Sequence, residues 1–366
     1  MLRRLAWHHF DFWLLGLVGT LTLFGITMIR SAIAGNEVLA QLPSRQAMFA
    51  AIGFGLMFLV AVVDYHYWLD LGRLFYVAVV GLLISLNIVG TALFGSARWV
   101  KVGPLFLQPS EFAKLVLILV QARFLASRQE EVGQLRTILL SGALTAGLAV
   151  WVFLQPDLST SITLVVIWLA MLWAAGLRWR HMLVFGFLGL MVALIGFPFL
   201  QPYQQQRVIQ FLFPDPEARY GAIYNVQQAL IAIGSGGLFG KGYGQGPQVQ
   251  LRFLKVRHTD FIFAVIAHEL GFIGAALTLF LLFLVIWRCL RVASQAYDTA
   301  GALIAYGVAA MLAFHMVVNV AMNLNLIPVT GLPLPFITYG GSTLWASLLA
   351  IGMVESVALY RKPLEF

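Results

Sequence analysis

The sequence predicts an all-α polytopic integral membrane protein, and three observations predict it. Hydrophobic residues fill 61% of the 366 positions and charged residues only 10%, against about 25% charged in an ordinary soluble domain. Apolar runs long enough to cross a bilayer recur from one end of the chain to the other. The basic residues gather in alternate connections between those runs, as the positive-inside rule requires.

Ten apolar segments can be marked, near 11–30, 46–64, 70–94, 110–126, 137–154, 160–177, 181–200, 261–287, 299–322 and 341–360. In the first, Ala32-Ile33-Ala34 mimics a cleavage site, but the apolar core is too long for a secretory signal and reads as a retained anchor. No soluble-domain linker or low-complexity tract interrupts the series, so residues 1–366 form one membrane domain. Its long insertion is the loop 201–260 between the seventh and eighth segments.

An even number of spans puts both termini on one side. One set of ends and connections carries Arg3, Arg4, Arg73, Arg123, Arg128, Arg136, Arg178, Arg180, Arg288, Arg291, Arg361 and Lys362. The opposite short loops carry only Arg30, Arg45, Arg98 and Lys101. The first set is therefore cytoplasmic, both termini with it, and the long loop is extracytoplasmic. The net charge of +8 is accounted for by this topology and by lipid headgroups, without nucleic acid. The lone Cys289 forms neither an internal disulfide nor a metal site by itself.

Every polar feature that a plain bundle would not need falls on the outer side. Residues 95–114, GSARWVKVGPLFLQPSEFAK, suggest a segment lying at the interface or re-entering, with Pro109 in the first turn of the fourth helix. Glu111 and Lys114 stand at i, i+3 and share a face. They could form a plain interfacial ion pair or line a wet cavity within the bundle. Asp157, in QPDLSTS, lies at the same depth and has the spacing of a cap for the sixth helix.

Within the long loop, QPYQQQRVIQFLF and AIYNVQQALIAIG read as short amphipathic helices on the outer surface. Residues 233–246 hold seven glycines, at 234, 236, 237, 240, 242, 244 and 246. A phosphate-loop reading of Gly240-Lys241 fails, because Ser235 occupies the first required glycine and Gly242 the required Ser or Thr. A flexible loop whose backbone approaches a ligand closely remains. The loop is also basic: Arg207, Arg219, Lys241, Arg252, Lys255 and Arg257 outnumber Asp215, Glu217 and Asp260. That suits an anionic, lipid-linked substrate or anionic headgroups alike.

The stretch VRHTDFIFAVIAHELG, 256–271, places Asp260 where this loop meets the eighth span, after Arg257 and His258. Asp260 either caps that helix or serves a cavity, for which Ala264 and Ala267 beneath it leave room. Glu269 falls roughly opposite on the helix and His268 about a quarter-turn away. His258 and His268 show no metal-ligand spacing.

The strings ARWVKVGPLFLQPSEFAK, QPDLSTS, YQQQRV, IAIGSGGLFGKG, RHTDFIFAVIAHELG and IPVTGLPLPFITYGGST, in this order along the chain, closely resemble the SEDS family (shape, elongation, division and sporulation). RHTDF and PVTGLPLPF look more like its elongation members than its division members. His268 departs from the acidic residue that many relatives carry, and Ser159 from their glycine. The resemblance implies a peptidoglycan glycosyltransferase of the bacterial inner membrane that polymerises lipid II during cell elongation, by inverting transfer with release of undecaprenyl diphosphate. It places the family's essential aspartate on Asp260 and its Glu–Lys pair on Glu111 and Lys114. Arg98, Asp157, Arg207, Lys241, Arg257 and His258 become expected substrate-binding residues. The implied partner is a class B penicillin-binding protein, and the one cofactor left open is a divalent cation, Mg or Mn. A lipid II flippase and a non-catalytic scaffold are the rival readings.

Overall fold

The protein is described by a computed structural model covering residues 7–94, 98–102, 105–214, 221–251 and 253–361, with side chains for all of these but 89–94, 102, 105 and 222. Arg3, Arg4, Asp215, Glu217, Arg219, Arg252 and Lys362 lie outside the described residues. The first seven apolar segments become α1 (Phe12–Ala32), α2 (Leu42–Val62), α3 (Tyr65–Phe94), α4 (Pro109–Ala126), α5 (Leu135–Leu154), α6 (Leu158–Ala174) and α7 (Trp179–Gly196). The long loop folds into α8 (Pro202–Leu212), α9 (Gly221–Gly236) and the single turn α10 (Pro247–Gln250). The remaining spans are α11 (Ile262–Ser294), α12 (Thr299–Asn323) and α13 (Gly341–Leu359).

Eight of the ten predicted segments form helices both long and apolar enough to cross a membrane. The other two are α4, whose 18 residues include Glu111, Lys114 and Arg123, and the 17-residue α6. Both pack inside the bundle, α4 against α3, α5, α6 and α12, and α6 against α5 and α12. Shielding by neighbours explains how a helix with three charges occupies this position.

The helix ends follow local rules. Asp11, Asp157 and Asp298 cap α1, α6 and α12 by accepting from the backbone N–H of Leu14 (3.0 Å), Thr160 (3.2 Å) and Gly301 (2.7 Å). Pro109 opens α4, where its missing N–H costs no hydrogen bond. The 95–114 segment holds a feature that its pattern does not announce: β1 (Val100–Val102) pairs antiparallel with β2 (Leu105–Leu107). Ser342 fastens this hairpin to α13, donating to the Phe106 carbonyl (3.1 Å) and accepting from the Gln108 N–H (3.0 Å).

The core runs along α4, α12 and α13. Small residues let helices close in where no hydrophobic force between spans would drive them. A Cβ on Gly352 of α13 would lie 2.6 Å from the Met57 carbonyl oxygen of α2, and one on Gly53 would lie 2.5 Å from Leu348 Cδ1. At the other extreme, α7 buries none of its residues. At the far end of α11 from Asp260, Arg288 holds Asp11 (2.6 Å) and the Asp11 N–H donates to Glu355 (3.0 Å), joining α11, α1 and α13.

The long loop is more tightly bound than a surface loop. Val226, Ala229 and Ala232 of α9 are buried, and α9 packs along α11. There α11 is broken at Gly271, with φ 69° and ψ −166°. The backbone groups freed by the break are taken up by the glycine segment. Lys241 and Gly242 donate N–H to the carbonyls of His268 and Glu269 (both 3.0 Å), while Phe272 and Ile273 donate to Gly237 (2.8 Å) and Leu238 (3.2 Å). The approach demands glycine: a Cβ on Gly240 would lie 2.1 Å from the Glu269 oxygen, and one on Gly236 2.0 Å from the Ala267 oxygen. The close approach expected of this glycine-rich stretch is therefore made to α11.

Candidate active site at the N-terminal end of α11

Asp260 is half-buried in the turn just before α11. It is not the cap of that helix: Phe261 holds the N-cap position and no side chain caps it there. The backbone of Asp260 is instead gripped from α12, where Asn319 (3.3 Å) and Asn323 (3.0 Å) each donate an amide N–H to its carbonyl oxygen. Its carboxylate accepts no hydrogen bond from a described residue. Gly331 lies alongside, and a Cβ there would stand 3.8 Å from Oδ2. Burial pushes the Asp260 carboxyl above the usual aspartate range, and the positive charge of Arg207 on α8 partly opposes that shift. The result is a carboxylate that is pinned by its main chain, open at its oxygens and more basic than an exposed aspartate.

Arg207 is drawn in by its own contacts. It donates to the Val329 carbonyl (3.2 Å) and lies over the Tyr203 ring, 5.6 Å from the centroid. It also lines an open apolar cleft with Phe211, Ile223, Leu230, Asn325 and Val329, between α8, α9 and the connection after α12. A cation at the mouth of an apolar cleft can hold an anionic head beside a lipid chain.

Glu111 and Lys114 are both buried and pair at 3.0 Å. The Lys114 ammonium also meets His315 Nε2 of α12 at 3.3 Å. An ammonium can only donate, so Nε2 is the acceptor and the imidazole proton sits on Nδ1. The pair therefore lies in the bundle interior and reaches across to α12, which is more than an interfacial ion pair does.

Asp157 and Arg98 brace the connection between α5 and α6. Besides capping α6, Asp157 accepts from Gln108 (2.9 Å), Ser110 (3.4 Å) and the Thr160 hydroxyl (2.9 Å), binding the start of α4 to the start of α6. Arg98 donates to the carbonyls of Gln155 (2.7 Å) and Pro156 and to the Tyr203 hydroxyl (3.2 Å). Through Tyr203, which shares α8 with Arg207, this brace reaches the surroundings of Asp260.

Arg257 is buried and donates to the carbonyls of Ala32 and Leu254, fixing the approach to Asp260 against the end of α1. The His258 carbonyl accepts from the Tyr339 N–H (3.1 Å), and its ring lies 6.1 Å from that of Tyr339. Burial, followed by the charge of Arg257, holds the His258 imidazole below the usual histidine range. Lys241 is exposed, on the glycine segment, where its N–H donates to the His268 carbonyl (3.0 Å). Among the described residues no three His, Cys, Asp or Glu side chains converge to hold a metal ion. Asp260 offers a cation one carboxylate, and the described residues around it do not complete a metal site.

Three residues near the site escape the sequence reading. His315, Asn319 and Asn323 recur at every fourth position of α12 and are all buried. Their signal is a polar stripe at i, i+4 and i+8 inside an otherwise apolar span, which places all three on one face.

The family model of a cell cycle protein, FTSW_RODA_SPOVE, matches residues 5–363. Peptidoglycan glycosyltransferase MrdB of Escherichia coli (strain K12) is 35% identical over 361 residues, covering 98% of this chain and 95% of its own. Stage V sporulation protein E of Bacillus subtilis (strain 168) is 37% identical over 326 residues, 87% of either chain. Among solved structures, the rod shape determining protein RodA of Thermus thermophilus has a TM-score of 0.71 at 32% identity, over 96% of this chain and 98% of its own. A chain from a peptidoglycan synthase complex that coordinates polymerization and crosslinking reaches a TM-score of 0.82 at 32% identity, over 96% and 99%.

Proposed function

The chain belongs to the SEDS family, which that FtsW/RodA/SpoVE model describes, and from that premise we propose that Asp260 is the general base of a glycosyl transfer at the outer face of the membrane. The protein is a peptidoglycan glycosyltransferase, the activity by which several relatives of near full length are named. The proposed substrate is lipid II. The observation that carries the reading is the Asp260 carboxylate, half-buried and accepting no hydrogen bond from a described residue, under the influence of Arg207.

In this reading the 4-hydroxyl of an acceptor GlcNAc attacks the anomeric carbon of a donor MurNAc. The new glycosidic C–O bond forms as the bond from that carbon to the diphosphate oxygen breaks. The hydroxyl proton passes to Asp260, the anomeric configuration inverts, and undecaprenyl diphosphate leaves. A sugar hydroxyl is a poor nucleophile, and a positioned base raises the rate by about a hundredfold to ten-thousandfold. Raising the carboxyl above its ordinary range brings the base closer to the operating pH. Arg207 supplies positive charge where negative charge develops on the leaving group, and exposed Lys241 is a further phosphate contact on the outer loop. Glu111 and Lys114 shape the floor of the site. Arg98, Asp157, Arg257 and His258 hold the connections that frame it.

The proposed topology has both termini in the cytoplasm, with α8, α9 and the glycine segment outside, in the inner membrane of a bacterium. The proposed role is cell elongation, supported by the RHTDF and PVTGLPLPF strings. A class B penicillin-binding protein, which would cross-link the strands, is the proposed partner. The test is strand formation by purified protein from labelled lipid II. Asp260→Asn should insert normally and make no strands. Strands at the wild-type rate would remove Asp260 as the base, and passage of lipid II across liposomes without polymer would favour transport instead.

A further inference from the structure

Positioning a carboxylate to within a fraction of an ångström requires support behind it, and the support behind Asp260 comes from one face of α12. Asn323 donates to the Asp260 carbonyl (3.0 Å) and to the Asn319 carbonyl (2.8 Å), and its own Oδ1 accepts from the Ala264 N–H (3.2 Å). It thereby satisfies a first-turn amide of α11 that no N-cap side chain reaches. Asn319 donates to the Asp260 carbonyl (3.3 Å) and to the Leu332 carbonyl (2.8 Å), one residue beyond the Gly331 that faces the carboxylate. One helical turn further, His315 takes the hydrogen bond of Lys114 (3.3 Å), which also holds Glu111.

We propose that Asn319 and Asn323 are positioning residues that set the Asp260 carboxylate, and that His315 joins this clamp to the Glu111–Lys114 pair, so that the pair acts on the base through α12. The inference rests on Asp260 being the base. Asn319, Asn323, His315, Lys114 and Glu111 are all buried, so competition from water at them is small and a lost partner leaves an unpaired polar group. Among the described residues, the Nδ1 of His315 already has no partner. The arrangement explains why an ion pair is retained inside the bundle, where an apolar replacement would be no less stable.

The charged group that acts on Asp260 from a neighbouring element is Arg207 of α8. The clamp residues of α12 are amides, Gly331 carries no side chain, and His258 and Arg257 belong to the same turn as Asp260 itself. A shift in the pH dependence of an alanine variant of Asn319 or Asn323 therefore reports a changed setting of Asp260, because that variant alters no charge.

The test is polymerisation of labelled lipid II by the full-length protein across pH, with thermal stability measured on the same preparations. Asn323→Ala and Asn319→Ala should each lower kcat about tenfold or more, with KM within about twofold, the pattern of an interaction used in the transition state. Each should also move the acid-side midpoint of the rate to lower pH, as water enters beside the carboxylate. Asn323→Asp keeps an acceptor for Ala264 and loses the donor to Asp260, so it should retain the kcat defect even if the alanine variant does not fold. His315→Gln, which keeps an acceptor for Lys114, should retain most activity, whereas His315→Ala should lose it. Clamp variants that melt earlier while kcat, KM and midpoint overlay the wild type would overturn the proposal. If Asp260→Asn were inactive in that same experiment, the base assignment would stand and the clamp alone would fail. If Asp260→Asn were active, both would fail.

Discussion

Asp260 and Glu269 sit nine residues apart on one stretch, and the fold treats them in opposite ways. Glu269 is fully buried, and the Ser31 hydroxyl lies 2.6 Å from both of its oxygens. It belongs to the joint where the glycine segment enters the break in α11, and its own carbonyl takes part in that joint. Asp260 is half-buried, its main chain is tethered by two asparagines and its oxygens are left open. Tying a buried carboxylate to a neighbouring donor makes it part of the scaffold; leaving its oxygens open at some cost in solvation keeps one available for chemistry. The nature of the residue is the same in both places, and its surroundings decide the role.

The sharpest way to break that contrast is to remove the charge from each. Asp260→Asn should cut polymerisation by about a hundredfold to ten-thousandfold without loss of stability. The sign follows from linkage. A carboxyl whose folded value is raised binds its proton more tightly in the folded state, so it lowers stability as pH rises between its unfolded and folded values. Replacing it with a neutral amide removes that penalty at neutral pH. Glu269→Gln, which keeps an acceptor for Ser31, should leave polymerisation near wild type. A dead Glu269→Gln beside a live Asp260→Asn would reverse the assignment of roles.

Next in size is the buried pair. Lys114→Ala leaves Glu111 unpaired in the interior and should cost about 3–5 kcal/mol of stability together with activity, read by melting and strand formation. Replacing both partners, with Glu111→Leu and Lys114→Met, should restore most of the stability and leave activity low. Recovery of both would reduce the pair to a structural tie.

A smaller effect belongs to the glycine joint. Gly240→Ala places a methyl 2.1 Å from the Glu269 oxygen at a φ of 83°, so the joint must shift. The expected loss is about 1–3 kcal/mol, with an unchanged acid-side midpoint for the residual activity. Similar in size, Ser31→Ala leaves Glu269 without its hydroxyl partner and should cost about 1–3 kcal/mol, again in stability alone.

Much of this molecule was legible in its residues. The ten apolar segments appear as helices because each is an apolar run, and some are also opened or capped by residues suited to it, as α1, α4 and α12 are by Asp11, Pro109 and Asp298. Asp260, Glu111 and Lys114 drew notice because ionised groups are costly in such a chain. What could not be read depends on pairing across long separations. The hairpin uses strands of three residues, too short for a periodic signal. The break at Gly271 is hidden because glycine is ordinary in a membrane helix, and its partner segment lies some thirty residues earlier. The glycines of that segment signalled close approach correctly, but whether to a ligand or to a helix is settled by tertiary packing. The role of Asp157 as a cap, by contrast, is a local matter, and the local spacing found it.

That an open, burial-shifted carboxylate acts as base at residue 260 is tested most directly by the pH dependence of the polymerisation rate. The rate should rise with pH through an acid-side midpoint above the ordinary aspartate value of about 3.9, and Arg207→Ala should move that midpoint higher still, since Arg207 opposes the shift. A rate that stays flat through the carboxylate range, or a midpoint that Arg207→Ala leaves in place, would contradict it.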